Sequence, residues 1–222
     1  PVPLSASDLD DDIISLAKLA SGTDGNLITY DASGNPAAVA TGDDGQILTS
    51  AGAGAAPAFE AAAGGGVTEI DQWRLTTDFT GTAQPIDSNW ERVDVAARLQ
   101  GYLGTGMSES SGIFTFPSTG FWLVIYRTTH ALDGDERHIR SNIYTTNDDS
   151  SYDKTTESVT HIKQTNSTWT GACSSSEAVL DVTDVANDKV RFEMYTLNAS
   201  TLTQGNTDYN ITSVTFVRLG DT

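Results

Sequence analysis

The sequence predicts a mainly β protein: a short N-terminal helix, a repeat-containing β stem and a C-terminal β-sandwich. Three observations predict it. From Val67 onward, apolar residues recur with a period of two, the spacing of a strand with one buried face. Clusters of Gly, Asn, Asp, Ser and Thr cut these runs into short segments, as in sandwiches. Before them, residues 22–60 repeat a turn–strand–turn unit with a period of twenty residues.

The helix is expected over residues 5–20. Ser7 and Asp10 have the spacing of a capping box, and Asp8, Asp10 and Asp11 suit the positive end of a helix. Leu9, Ile13 and Leu16 fall on one seam, Lys18 sits in the last turn and Gly22 follows as a stop. A helix this short is unstable alone in water, so the seam is expected to dock on copies of itself or on a larger body. Residues 1–21 are therefore read as a docking segment.

In the repeat, Gly22, Asp24, Gly25, Leu27, Ile28, Thr29 and Gly34 are echoed by Gly42, Asp44, Gly45, Ile47, Leu48, Thr49 and Gly54. Each unit reads as a turn, a short apolar strand, a second turn and a small-residue return. Two such units hold few large apolar groups, too few to offset about 1 to 2 kcal/mol of backbone entropy per residue. Other chains are expected to complete their core. The AGAGAAP and AAAGGG runs mark a linker, so residues 22–66 form the stem and 67–222 the knob.

Within the knob the predicted strands place Trp73 with Leu75, Phe114 with Phe116, Ile139 with Ile143, Val190 with Phe192 and Met194, and Val214 with Phe216. Phe116, Trp122, Val124, Tyr126, Phe192 and Phe216 are the expected core and interface residues. The run from Phe121 to Tyr126 is apolar at every position, so its strand should be covered on both faces. One cover is the opposite sheet; the other is expected to be a second subunit.

Twelve Lys and Arg against 30 Asp and Glu give a net charge of −18, which argues against a nucleic-acid partner. No stretch is long and apolar enough for a membrane span, and no secretion signal is evident, so a cytoplasmic, membrane-free chain is expected. The single cysteine, Cys173, closes no internal disulfide and is expected in a Ser-rich turn. Motifs for a serine nucleophile, a zinc protease or a phosphate loop are missing, and His130, His138 and His161 suggest no catalytic grouping; His138 is expected at a solvated loop edge. Acidic loops around Asp133 to Glu136 and Asp148 to Asp153 read as solvated turns rather than calcium sites. Neither enzyme activity, nor a cofactor, nor a metal is expected.

The string GIFTFPSTGFWLV at 112–124 resembles the F-x-x-P-x-x-G-x-Y segment of the C1q/TNF-like jelly roll, with Trp122 at the aromatic position. DVTDVANDKVRFEMY at 181–195 and SVTFVRL at 213–219 are similar to that family's last two strands. The resemblance implies a homotrimeric, non-catalytic jelly roll. GDDGQILTS at 42–50 resembles repeat units that precede the tip domains of tailed-bacteriophage fibres. Together these imply a trimeric short fibre or head fibre on a virion surface, assembled in the host cytoplasm and partnered by capsid or tail proteins. Its role would be capsid decoration or, as a tail-fibre tip, attachment to a host glycan or protein, with loops at 128–137 and 145–157 as the contact surface. A secreted C1q-like lectin is the remaining reading, without support from the repeat.

Overall fold

A computed structural model describes residues 22–61, 66–165 and 168–222. The expected helix, with Leu9, Ile13 and Leu16, lies outside the described residues. The chain divides into two compact units, Pro1–Gly65 and Gly66–Thr222.

In the first unit each repeat folds as one antiparallel hairpin. Strands β1 (Leu27–Tyr30) and β2 (Pro36–Val39) pair, as do β3 (Gln46–Thr49) and β4 (Ala58–Ala61). Asp31 shapes the first turn: one carboxylate oxygen accepts the N–H groups of Ser33 (2.8 Å) and Asn35 (2.9 Å), and Gly34 takes the left-handed conformation that closes it. Val39 is the one buried hydrophobic side chain among the described residues of this unit, whereas Leu27, Ile28, Tyr30, Ile47 and Leu48 are all exposed. A two-stranded ribbon has no second layer to cover its apolar side chains, and an isolated hairpin is marginal in water.

The second unit contains β5 (Ile70–Leu75), β6 (Phe79–Thr80), β7 (Trp90–Arg92), β8 (Ser108–Ser110), β9 (Ile113–Thr115), β10 (Gly120–Leu132), β11 (Glu136–Thr146), β12 (Asp153–Ile162), β13 (Thr170–Val182), β14 (Lys189–Thr196), β15 (Leu202–Thr203) and β16 (Ser213–Gly220). A 3-10 turn spans Ala96–Arg98. One sheet holds β12, β11, β14, β9 and β8 in that order. The other is built around β10, which pairs with β13 along one side and with β16 and β15 along the other; β5 and β7 extend it beyond β16, and β6 pairs with β15. All these pairings are antiparallel. The pairs nest: β5 with β16, β9 with β14, β10 with β13, β11 with β12. Such nesting is one long antiparallel ribbon rolled up, and its rolled form is a jelly-roll sandwich.

The strands are longer than the sequence pattern predicts, reaching 13 residues in β10 and β13. Cys173, expected in a turn, lies on β13 and is exposed, and His138, expected at a loop edge, lies exposed on β11. The two expected contact loops reduce to 133–135 and 147–152, because their flanks belong to β10, β11 and β12. They lie at opposite ends of the 11-residue β11, which separates them by roughly 35 Å, so they cannot form one surface. The 147–152 loop shares its end with Thr68, whose hydroxyl meets Arg218 near the end of β16 (3.5 Å), and so lies where the chain enters the sandwich. The 133–135 loop lies at the far end.

Between the sheets, Phe114 is the hub of the core. Its ring stands about 5.5 Å from those of Trp73, Trp90, Phe192 and Phe216, mostly edge to face, the arrangement the ring quadrupoles favour. Toward the far end the core turns polar. Thr128 Oγ1 meets Ser141 Oγ and Ser174 Oγ, each at 2.8 Å, and Ser176 donates to the Ser141 carbonyl (2.6 Å). His130 is fully buried there, with Nε2 2.8 Å from Thr128 Oγ1 and Nδ1 3.3 Å from Thr203 Oγ1. These hydroxyls pair with one another, which offsets the cost of removing them from water.

Candidate self-association surface

Alternation along β10 divides its side chains cleanly. Trp122, Val124 and Tyr126 are buried in the core, while Phe121, Leu123 and Ile125 project from the other face of the sheet. The register of the neighbouring strands extends that outer face sideways. Leu123 lies opposite Val179 of β13 and Val217 of β16, and Val217 lies opposite Ile70 of β5. Leu103 continues the row, exchanging backbone hydrogen bonds with Ile70 (3.1 and 2.9 Å). A band of five aliphatic side chains thus crosses the whole sheet, flanked by Phe121, Ile125 and Leu219.

Phe121, Val179, Leu219 and Leu103 are 40%, 62%, 52% and 46% exposed, and Leu123, Ile125, Val217 and Ile70 are half-buried. Within the described knob no second layer covers this aliphatic band. Covering a side chain left about half exposed is worth about 1 kcal/mol, half of what full burial of an aliphatic group gains. A contiguous apolar band on a chain of net charge −18 marks an interaction surface rather than ordinary scattered exposure. The face becomes polar toward the far end: the next row is Glu177, Ile125, Thr215 and Gln72, and the following one Ser175, Arg127, Ser213 and Arg74. Arg127 supplies positive charge there and Glu177 and Asp181 negative charge along the β13 edge, the mixed rim that surrounds an apolar interface centre.

The expected core residues Phe116, Trp122, Val124, Tyr126, Phe192 and Phe216 all lie inside the sandwich, none more than 3% exposed. They support the face from behind rather than forming it. The sequence shows that the Phe121–Tyr126 strand should be covered on both faces but not that Ile70, Leu103, Val179 and Val217 share its outer face, because the row exists only once these distant segments come into register with Leu123. The alternation of Ala178, Leu180 and Val182 with Val179 was the available signal, and it was masked by the polar start of β13.

The titratable groups form no comparable constellation. His130 is buried between the sheets, His138 and His161 are exposed on β11 and β12, and among the described residues no group of three or more His, Cys, Asp or Glu side chains converges. Burial lowers the His130 pKa to about 4, so it is neutral at pH 7. Asp148 is held well below the usual carboxylate range, chiefly by the Ser151 N–H (2.7 Å) and then by the Thr146 hydroxyl (2.7 Å). It acts as the organiser of its loop.

No protein-family model matches the sequence, and no curated protein matches it. Among solved structures, the chain is similar to an Eiger TNF from S. frugiperda, with 14% identity over 69% of this chain and 93% of that one and a TM-score of 0.49. It is also similar to murine APRIL crystallised at pH 8.5, with 12% identity over 68% of this chain and 98% of that one and a TM-score of 0.46.

Proposed function

We propose that the chain is a non-enzymatic structural subunit of a bacteriophage virion, a homotrimeric short fibre whose jelly-roll knob serves host attachment or particle decoration. The observation that carries the self-association is the uncovered apolar band from Val179 through Leu123 and Val217 to Ile70. The stem supports the same reading, because its hairpins leave Leu27, Ile28, Tyr30, Ile47 and Leu48 exposed, and identical chains side by side give these residues a shared core. The likeness of GDDGQILTS to phage fibre repeats supports the virion assignment.

Two measurements test the reading. In sedimentation equilibrium at micromolar concentration, the full chain should have three times its 23.5 kDa mass, and Leu123→Glu should reduce this toward the monomer while the far-UV spectrum stays that of a β protein. A wild-type monomer under these conditions overturns the trimer. Quantitative mass spectrometry of purified particles of the phage that encodes the chain should detect it at a fixed copy number, few for a tail tip and many for a capsid decoration. Its absence from particles overturns the virion role.

A further inference from the structure

An apolar face that meets its own copy gives a two-fold pair; three copies close into a ring only where two different patches of each subunit fit one another. The sheet built around β10 carries two such patches, one toward each side. Beyond β5, residues 94–103 leave the sheet as a loop that contains the 3-10 turn at Ala96–Arg98. Leu99, which ends this turn, is 98% exposed, the most exposed large apolar side chain among the described residues. Its φ of +57° is left-handed, a conformation that suits glycine or asparagine and disfavours leucine. Tyr102 and Leu103, both exposed, connect the loop to the apolar band.

Toward β13 the sheet carries a hollow instead. The outward side chains Thr129, Cys173 and Ser175 are short, and with Arg127 and Ile211 they line an open cavity of about 370 Å³, room enough for a branched aliphatic side chain. The Thr129 hydroxyl donates to the Ile211 carbonyl (3.2 Å), which leaves the hollow mainly apolar.

Loop and hollow stand at the same level of the sheet. Register aligns Arg127 with Ser213 and Ser213 with Arg74, so the hollow is level with Arg74. The loop is tied to the rows on either side of Arg74. Val93 N–H bonds the Gln72 carbonyl (2.8 Å), and Arg98 pairs with Asp208 (3.1 Å) in the turn that Asn206 N–H anchors on the Leu75 carbonyl (2.8 Å). Rotation about an axis along the strands carries the loop sideways to the next subunit without raising or lowering it, so a ring requires this equal level. Charge agrees, since exposed Asp94 stands at the base of the loop and exposed Arg127 at the hollow, opposite signs on the two patches that would meet. We propose that Leu99 of each copy seats in the hollow beside Cys173 of the next. This contact rests on the homotrimeric reading above and gives that trimer its point of closure.

Cysteine linkage in the full chain tests the contact, because Cys173 is the sequence's one cysteine and lines the hollow. Leu99→Cys, oxidised at micromolar concentration, should run on a non-reducing gel as chains linked in threes, and reductant should release them. Wild type and Leu99→Cys/Cys173→Ser, each with one cysteine, should stay unlinked. Leu99→Glu, at a position too exposed to disturb the fold, should weaken the trimer by at least about tenfold in sedimentation, the loss of one buried leucine per contact. A wild-type trimer in which Leu99→Cys stays unlinked, linkage in either single-cysteine chain, or no effect of Leu99→Glu overturns the contact and leaves the trimer standing. A wild-type monomer in sedimentation overturns both.

Discussion

His130 gives the sharpest test of how this sandwich is held together. Its ring is enclosed at the polar end of the core by Thr128 and Thr203 hydroxyls, and burial lowers its pKa from 6.5 to about 4. The unfolded chain therefore binds a proton near pH 6.5 that the folded chain refuses until about pH 4, so stability rises with pH across that window. The contribution is complete above pH 6.5 and is lost as pH falls toward 4. At about 1.4 kcal/mol per pH unit, the full gap is worth about 3 kcal/mol, and between pH 7 and pH 5 the loss should be about 2 kcal/mol. Carboxylates held low by hydrogen bonds, such as Asp148, act oppositely in charge but in the same direction. They lose their contribution only below about pH 4, the ordinary carboxylate range, so the interval from 5 to 7 isolates the histidine. Denaturant unfolding followed by tryptophan fluorescence is suited to the measurement, since all four tryptophans belong to the sandwich. His130→Gln should flatten the pH dependence between 5 and 7 to under about 0.5 kcal/mol, whatever its cost at pH 7. A slope that survives the substitution would refute the assignment of the buried neutral imidazole.

Two further outcomes follow from the same geometry. Gly112 has a left-handed backbone with φ of +79°, and an added Cβ would press into the Ile86 carbonyl oxygen and come within 2.9 Å of the Asp87 Cα, so Gly112→Ala should destabilise the sandwich by about 2 to 4 kcal/mol in thermal or denaturant unfolding. A cost under about 0.5 kcal/mol would mean the 86–87 segment yields freely. Self-association through an apolar face between copies of charge −18 should strengthen as sodium chloride rises from 0.05 to about 0.5 M, because salt screens the repulsion and leaves the apolar gain in place. Dissociation with rising salt in sedimentation would instead identify ion pairs as the source of affinity.

The aromatic half of this fold was legible in the sequence and the hydroxylated half was not. Phe114, Phe116, Trp122, Val190, Phe192 and Phe216 announce strands because an alternating large apolar side chain has few uses other than a core. In β13, by contrast, the inward positions are Ala172, Ser174 and Ser176, and a period-two reading finds no hydrophobic signal there. Ser174 and Ser176 fill two of those positions because Thr128 and Ser141 arrive from other strands to pair with them, and no local window contains that information. The same non-local pairing decided what could be known of the surface. The two-faced character of Phe121 to Tyr126 showed that something must cover the strand a second time, yet the extent of the face depended on Val179, Val217 and Ile70 coming into register with Leu123 across separations of up to about a hundred residues. The stem is the opposite case. Its repeat is local, each copy closes on itself as one hairpin, and the sequence sufficed to count its apolar groups and find too few. In both units, then, what remains unpaired after the chain has folded is apolar and lies on a regular β surface, which a further copy of the same surface is well shaped to cover.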